Sequence, residues 1–166
     1  MSKLKLLICS AKSEESYAAS IVNHLCSINY NSLKLDALAT RSPLRIIETT
    51  INGQQIDFWH LVDSQTANGL PAICAINLDG LVLVSNEPIA NFLNSNSLLF
   101  SRRSRPPILW LHSKLDLSVS GNMQHSNASI KQVNTLNLSL DSVQNEFNSW
   151  LAQLRSEPIN AFSSYY

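Results

Sequence analysis

The spacing of apolar positions changes several times along the chain, and each change marks an element. Residues 4–9, LKLLIC, form a short apolar run, which predicts a buried strand. The polar turn SAKSEES follows. Ser13 is suited to cap a helix, and Glu14 and Glu15 suit a first turn, where exposed amides favour carboxylates. Tyr17, Ala18, Ile21, Val22 and Leu25 then recur at helical spacing and predict a helix over 14–27. Residues 28–43 are polar and irregular and end at Pro43.

The sharpest local signal comes next. LRIIETTI and QQIDFWHLV flank Asn52-Gly53. Asn-Gly suits a type I′ turn, whose two central residues both need positive φ. Two β-rich runs around such a turn predict an antiparallel hairpin. DSQTANGLPAICAIN reads as a loop with a short helix, and LDGLVLVSN as a buried strand centred on Val82, Leu83 and Val84. Ile89, Phe92, Leu93 and Leu98 predict a helix over 88–99. SRRSRPP is a basic loop, ILWL a strand, SVSGNMQHSNAS a loop and VNTLNLSL a further strand. Asp141 or Ser142 is expected to cap a last helix carrying Val143, Phe147, Trp150, Leu151 and Leu154 on one face.

Strand, helix, hairpin and then strand–helix steps predict an α/β, three-layer architecture. Its six-stranded sheet is mostly parallel with one antiparallel edge hairpin, and helices cover both faces. Length bounds this to one domain over 1–156, with a flexible tail over 157–166.

Twelve basic and twelve acidic residues cancel, so no net field favours nucleic acid or an anionic membrane. Charged residues are sparse and Ser and Asn abundant, a surface compatible with a protein partner. Cys9, Cys26 and Cys74 lie in apolar runs and read as core residues of a reducing compartment. Their odd number, without C-x-x-C spacing, argues against a disulfide frame or a zinc site. The opening MSKLKLLICS is too short for a signal peptide, and no stretch reaches the ~20 apolar residues of a membrane span. No myristoylation or prenylation motif is present. The expectation is a cytoplasmic protein, or a nuclear one, without a direct membrane anchor.

The element order resembles that of the Ras/Rab-like small GTPases from about Lys3 to Leu154, so the family's motif positions can be compared. A P-loop, G-x-x-x-x-G-K-[ST], wraps a phosphate in backbone amides and adds a lysine and a magnesium-binding hydroxyl. The register here gives Ser10-Ala11-Lys12-Ser13-Glu14-Glu15-Ser16-Tyr17. Ser10 and Glu15 replace the glycines, Ser16 stands for the lysine, and Tyr17 for the magnesium ligand. Glu14 and Glu15 would set negative charge against the phosphates. The family's D-x-x-G is matched by Asp63-Ser64-Gln65-Thr66, where the Asp is kept and the Gly is not. Its guanine-reading N-K-x-D is matched by Ser113-Lys114-Leu115-Asp116, with Ser for Asn. A later S-A-K element is matched only loosely, by Leu138-Ser139-Leu140.

The resemblance therefore implies a degenerate family member, a pseudo-GTPase. Ser10, Glu15, Ser16, Tyr17, Asp63, Ser113, Lys114 and Asp116 would mark a vestigial nucleotide site. No catalytic residue, metal or cofactor is expected. Its role would be a protein-binding scaffold, adaptor or assembly subunit in a hetero-oligomeric complex, most often in membrane trafficking. The contact surface would be the hairpin edge or the last helix.

Two alternatives stand beside it. Lys114 and Asp116 could hold a guanine base weakly without turnover. ICSAKSEESYAASIVNHL also resembles the opening of a Toll/interleukin-receptor domain, a signalling or NAD-cleaving class. That sheet is all parallel, so the hairpin discriminates. Trp59, Trp110 and Trp150 read as core, His60 and His112 as structural histidines, and Arg102, Arg103 and Arg105 as a solvated loop.

Overall fold

The computed structural model describes residues 2–26, 44–61, 72–97, 105–114 and 130–156. Six strands form one sheet: β1 (Leu4–Ser10), β2 (Leu44–Ile51), β3 (Gln54–Leu61), β4 (Gly80–Val84), β5 (Ile108–His112) and β6 (Ile130–Asn134). Their spatial order is β2-β3-β1-β4-β5-β6. The β2–β3 pair is antiparallel, and the remaining pairs run parallel. The helices are α1 (Glu15–Cys26), α2 (Ala72–Ala75), α3 (Ile89–Ser95) and α4 (Leu140–Ser156). The expected mostly parallel sheet with one antiparallel edge hairpin is present.

The two faces of the sheet bury different partners. Leu6 and Ile8 of β1, with Ile56, Phe58, Val82, Val84, Leu109 and Leu111, pack under α1 and α4. Leu7 and Cys9, with Leu81, Leu83, Ile108 and Trp110, pack on the other face against Cys74 of α2 and Ile89, Phe92 and Leu93 of α3. This is the period-2 alternation of strands buried on both sides. The aromatic centre of the α1/α4 side is Phe58, Phe147 and Trp150, with 5.9 Å between successive ring centroids. No helix among the described residues is long and apolar enough to cross a membrane.

Several boundaries differ from expectation, for local reasons. A 3-10 turn over Lys12–Glu14 precedes α1, and the Ser13 hydroxyl donates to Glu14 Oε2 at 2.6 Å instead of serving as a cap. The last parallel strand lies at Ile130–Asn134, earlier than the alternating run VNTLNLSL suggests. Asn134 Oδ1 accepts the Leu136 N–H at 3.0 Å, and the Leu138 N–H bonds Thr135 O at 3.1 Å, so the chain turns there. Leu136 and Leu138 are exposed as a result. The cap of α4 is Ser139, not Asp141 or Ser142: its Oγ accepts the Ser142 N–H at 3.2 Å. Asp141 instead pairs with His24 of α1 at 2.8 Å. Helix α3 stops at Ser95, where Asn96 is buried and donates through Nδ2 to Phe92 O at 2.9 Å. Leu98 and the basic residues Arg102 and Arg103 lie outside the described residues.

Two glycines are required for different reasons. Asn52 and Gly53 have φ of 50° and 78°, as the I′ turn demands, and nothing lies within 4 Å of a Cβ built on Gly53. At Gly80, which opens β4, a Cβ would meet Trp150 Cη2 at 2.7 Å and Leu154 Cδ1 at 3.1 Å. Replacing Gly53 by Val should cost about 1–2 kcal/mol through backbone strain alone. Gly80→Ala should cost about 1–3 kcal/mol through overpacking. Urea unfolding checks both. Pairing Gly80→Ala with Trp150→Phe should recover part of the loss, and the same partner should do nothing for Gly53→Val.

Candidate functional site

In an open α/β sheet, the crevice outside the carboxyl ends of the strands opens where the strand order reverses. Here that point lies at β1, between β3 on one side and β4 on the other. The residues meeting there are Ser10 at the end of β1 and Ala11 after it, Ser85 and Asn86 after β4, and Ser113 and Lys114 after β5.

The turn after β1 is short and internally bonded. The Ala11 N–H donates to Val84 O at 3.1 Å, and the Glu14 N–H donates to Ala11 O at 3.0 Å. Both amides are thus used within the fold. Ser10 is buried at the strand end, Glu15 is half-buried as the first residue of α1, and Ser16 is exposed. Tyr17 is half-buried and its ring packs against the α1/α4-side core.

Glu14 reaches across the crevice. Its Oε1 accepts from Asn86 Nδ2 at 3.0 Å, and its Oε2 from Ser13 Oγ at 2.6 Å. Asn86 Oδ1 in turn accepts the Ser113 N–H at 2.7 Å and the Ser113 hydroxyl at 3.1 Å. One chain of polar contacts therefore joins the ends of β1, β4 and β5. The β4 end is tied further: Trp110 Nε1 donates to Ser85 O at 2.9 Å, and the Glu87 N–H to Ser85 Oγ at 3.1 Å. Lys114 is exposed, and its carbonyl accepts from Asn134 Nδ2 at 3.3 Å.

Of the positions singled out from sequence, Ser10, Glu15, Ser16 and Tyr17 are brought to one end of the sheet together with Ser113 and Lys114. Asp63 and Asp116 lie outside the described residues. Asn86 is the residue that sequence reasoning missed. Its only one-dimensional signal is a polar residue just beyond a buried strand, which many loops share. Among the described residues, no group of three or more His, Cys, Asp and Glu side chains is placed to hold a metal ion.

The two histidines near strand ends are buried in the sheet. The His112 ring lies 5.0 Å from that of Trp110, tilted by 43°, and its Nε2 lies 2.7 Å from Gln132 Nε2. Burial lowers its pKa, against an opposing hydrogen bond with the Lys114 backbone. His60 is paired in register with Ile8 and Arg45. Burial, then the nearby Arg45 charge, pushes its pKa down to about 4. Burial also raises the thiols of Cys9, Cys26 (to about 12) and Cys74, so none is an activated nucleophile.

His60 sets a pH dependence. The folded state disfavours its proton, whereas the unfolded chain takes one up near the ordinary value of 6.5. Its contribution is complete above that value and is lost as pH falls from about 6.5 toward 4. A shift of this size is worth about 3 kcal/mol. The unfolding free energies of the parent and of His60→Gln from urea titrations should therefore converge by most of that amount between pH 7 and pH 4. A difference that stays constant over this range would show that His60 is accessible to protons in the folded state.

No known family profile matches the chain, and no curated protein matches it. Solved structures do. The Arl6 BBS3 small GTPase from Trypanosoma brucei, solved with the bound nucleotide analogue GppNp, is similar with a TM-score of 0.59 and 13% identity. That match covers 92% of this chain and 96% of the other. The bacterial selenocysteine-specific elongation factor EF-Sec is similar with a TM-score of 0.55 and 11% identity, over 92% of this chain and 29% of its own. At these identities the likeness concerns the backbone: the chain has a small-GTPase-like α/β fold, hairpin included.

Proposed function

We propose that the chain is a non-catalytic GTPase-like protein that neither binds GTP productively nor hydrolyses it. It serves as a scaffold, adaptor or assembly subunit that docks protein partners in a larger intracellular complex. Membrane trafficking is the host process we favour. The observation that carries this reading is the Glu14 carboxylate, bonded to Asn86 and Ser13 at the turn after β1.

A magnesium-bound triphosphate does not fit the residues present. Phosphate-binding turns offer free amides and a lysine. This turn uses the Ala11 and Glu14 amides internally, carries two adjacent carboxylates, and has exposed Ser16 where a lysine would stand. Tyr17, at the magnesium-ligand position, is turned into the edge of the core. A carboxylate beside a phosphate adds like charge at short range, which is repulsive.

The docking half of the proposal is supported by the hairpin. Among the described residues, β2 pairs with β3 alone and lies at the edge of the sheet. Its Ile46 is 43% exposed and sits opposite half-buried Trp59 of β3, an apolar cross-strand pair with one member on the edge strand. Helix α4 is less suited, since apart from the small Ala152 its described exposed residues, Asp141, Asn145, Ser149 and Gln153, are polar.

Thermal unfolding of the purified protein with and without millimolar GTP, GDP and magnesium tests the reading. The expected result is no change in midpoint with any of them. A ligand at a hundred times its dissociation constant would stabilise by about 2.7 kcal/mol. That corresponds to a rise of several degrees at this size. A guanine-specific rise would overturn the proposal and make Ser113 and Lys114 part of a working base site.

A further inference from the structure

The polar chain across the crevice has a consequence that does not depend on which partner the protein docks. Glu14 belongs to the turn after β1, Asn86 to the segment after β4, and Ser113 to the segment after β5. No backbone ladder joins the first of these to the third, because β4 lies between β1 and β5. Beyond the ends of the strands, side chains do it. Asn86 stands in the middle with both ends of its amide engaged: Nδ2 donates to Glu14, and Oδ1 accepts twice from Ser113. An amide that both donates and accepts is fixed in orientation by its two neighbours, so disturbing one contact loosens the other. The Glu14 end is a charge-assisted acceptor, the stronger kind. Ser113 and Asn86 are both half-buried, where such a contact is less screened than on an open surface.

We infer that Glu14 acts as an internal ligand, a positioning residue that orients Asn86 and through it holds the Ser113 end of β5 to the turn after β1. The tethered carboxylate does for these strand ends what a bound small molecule would otherwise do, and it closes the crevice. This deepens the proposed function, because a scaffold that is ordered without ligand presents its docking face constantly. It rests on that reading only for its biological meaning. Nucleotide binding and the internal contact are measured separately, so either can fail alone.

The test is amide hydrogen exchange at Ser113, followed by NMR in the full chain. Glu14 bonds Asn86 and Ser13 and not Ser113, so a purely local role for Glu14 leaves that amide unchanged. In Glu14→Ala, exchange at Ser113 should accelerate about three- to tenfold. Glu14→Gln keeps an acceptor for Asn86 Nδ2 and should restore most of the protection. Asn86→Ala should accelerate exchange at least as much as Glu14→Ala, and the double variant should add little to Asn86→Ala alone. The amide of Ile8, inside the β1 ladder with strands on both sides, should keep its rate in every variant, which separates a local opening from general unfolding. Parent-like exchange at Ser113 in Glu14→Ala would overturn the inference. So would full additivity of the two substitutions.

Discussion

Four successive side chains of β1, Leu6, Leu7, Ile8 and Cys9, are fully removed from solvent. That is possible only for a strand with neighbours on both edges and helices over both faces. β1 has β3 on one side and β4 on the other. Leu6 and Ile8 point into the α1/α4 layer, and Leu7 and Cys9 into the α2/α3 layer. Each buried aliphatic side chain contributes roughly 1.5–3 kcal/mol. Both cores are anchored on this one strand. Its start is clasped by Asp79, which accepts the Lys5 N–H at 2.8 Å and donates its own N–H to Lys5 O at 2.9 Å.

The same constraint places the candidate site. Because β1 is central, the turn after it emerges between β3 and β4, facing the ends of β4 and β5. A chain that keeps this frame can change what stands at the strand ends without disturbing the cores below. Here the turn carries Glu14, and the opposite rim carries Asn86 and Ser113. Their contacts satisfy half-buried polar groups that would otherwise be costly to bury. The fold is thus similar to that of small GTPases, and at its rim Glu14, Asn86 and Ser113 are bonded to one another.

Local sequence signals were strong where geometry is set within a few residues. The Asn52-Gly53 turn needs two positive φ values, and only a few residue types adopt them cheaply, so the hairpin was legible. The helical face of Val143, Phe147, Trp150 and Leu151 was legible because 3.6-residue spacing leaves few alternatives. The strand in VNTLNLSL was misplaced because alternation alone cannot tell a ladder from an Asx-type turn. Asn134 decides between them by accepting the Leu136 N–H. The cap at Ser139 was missed for a related reason: Ser139, Asp141 and Ser142 all have capping chemistry, and the choice depends on where the preceding turn delivers the chain.

The sequence by itself determined the kinds of element, their order, and the residue types Ser10, Glu15, Ser16 and Tyr17 around the first turn. Those follow from periodicity and from residue chemistry at known offsets, which are properties of neighbours along the chain. The tertiary structure decided that Glu14 would find Asn86, and Asn86 would find Ser113, across 72 and 27 residues of sequence. It also decided that Tyr17 would face the core, and that Gly80 would have to be a glycine because Trp150 lies over it. These depend on which strands become neighbours, and that is settled by burying β1 on both faces, not by any segment's own preference.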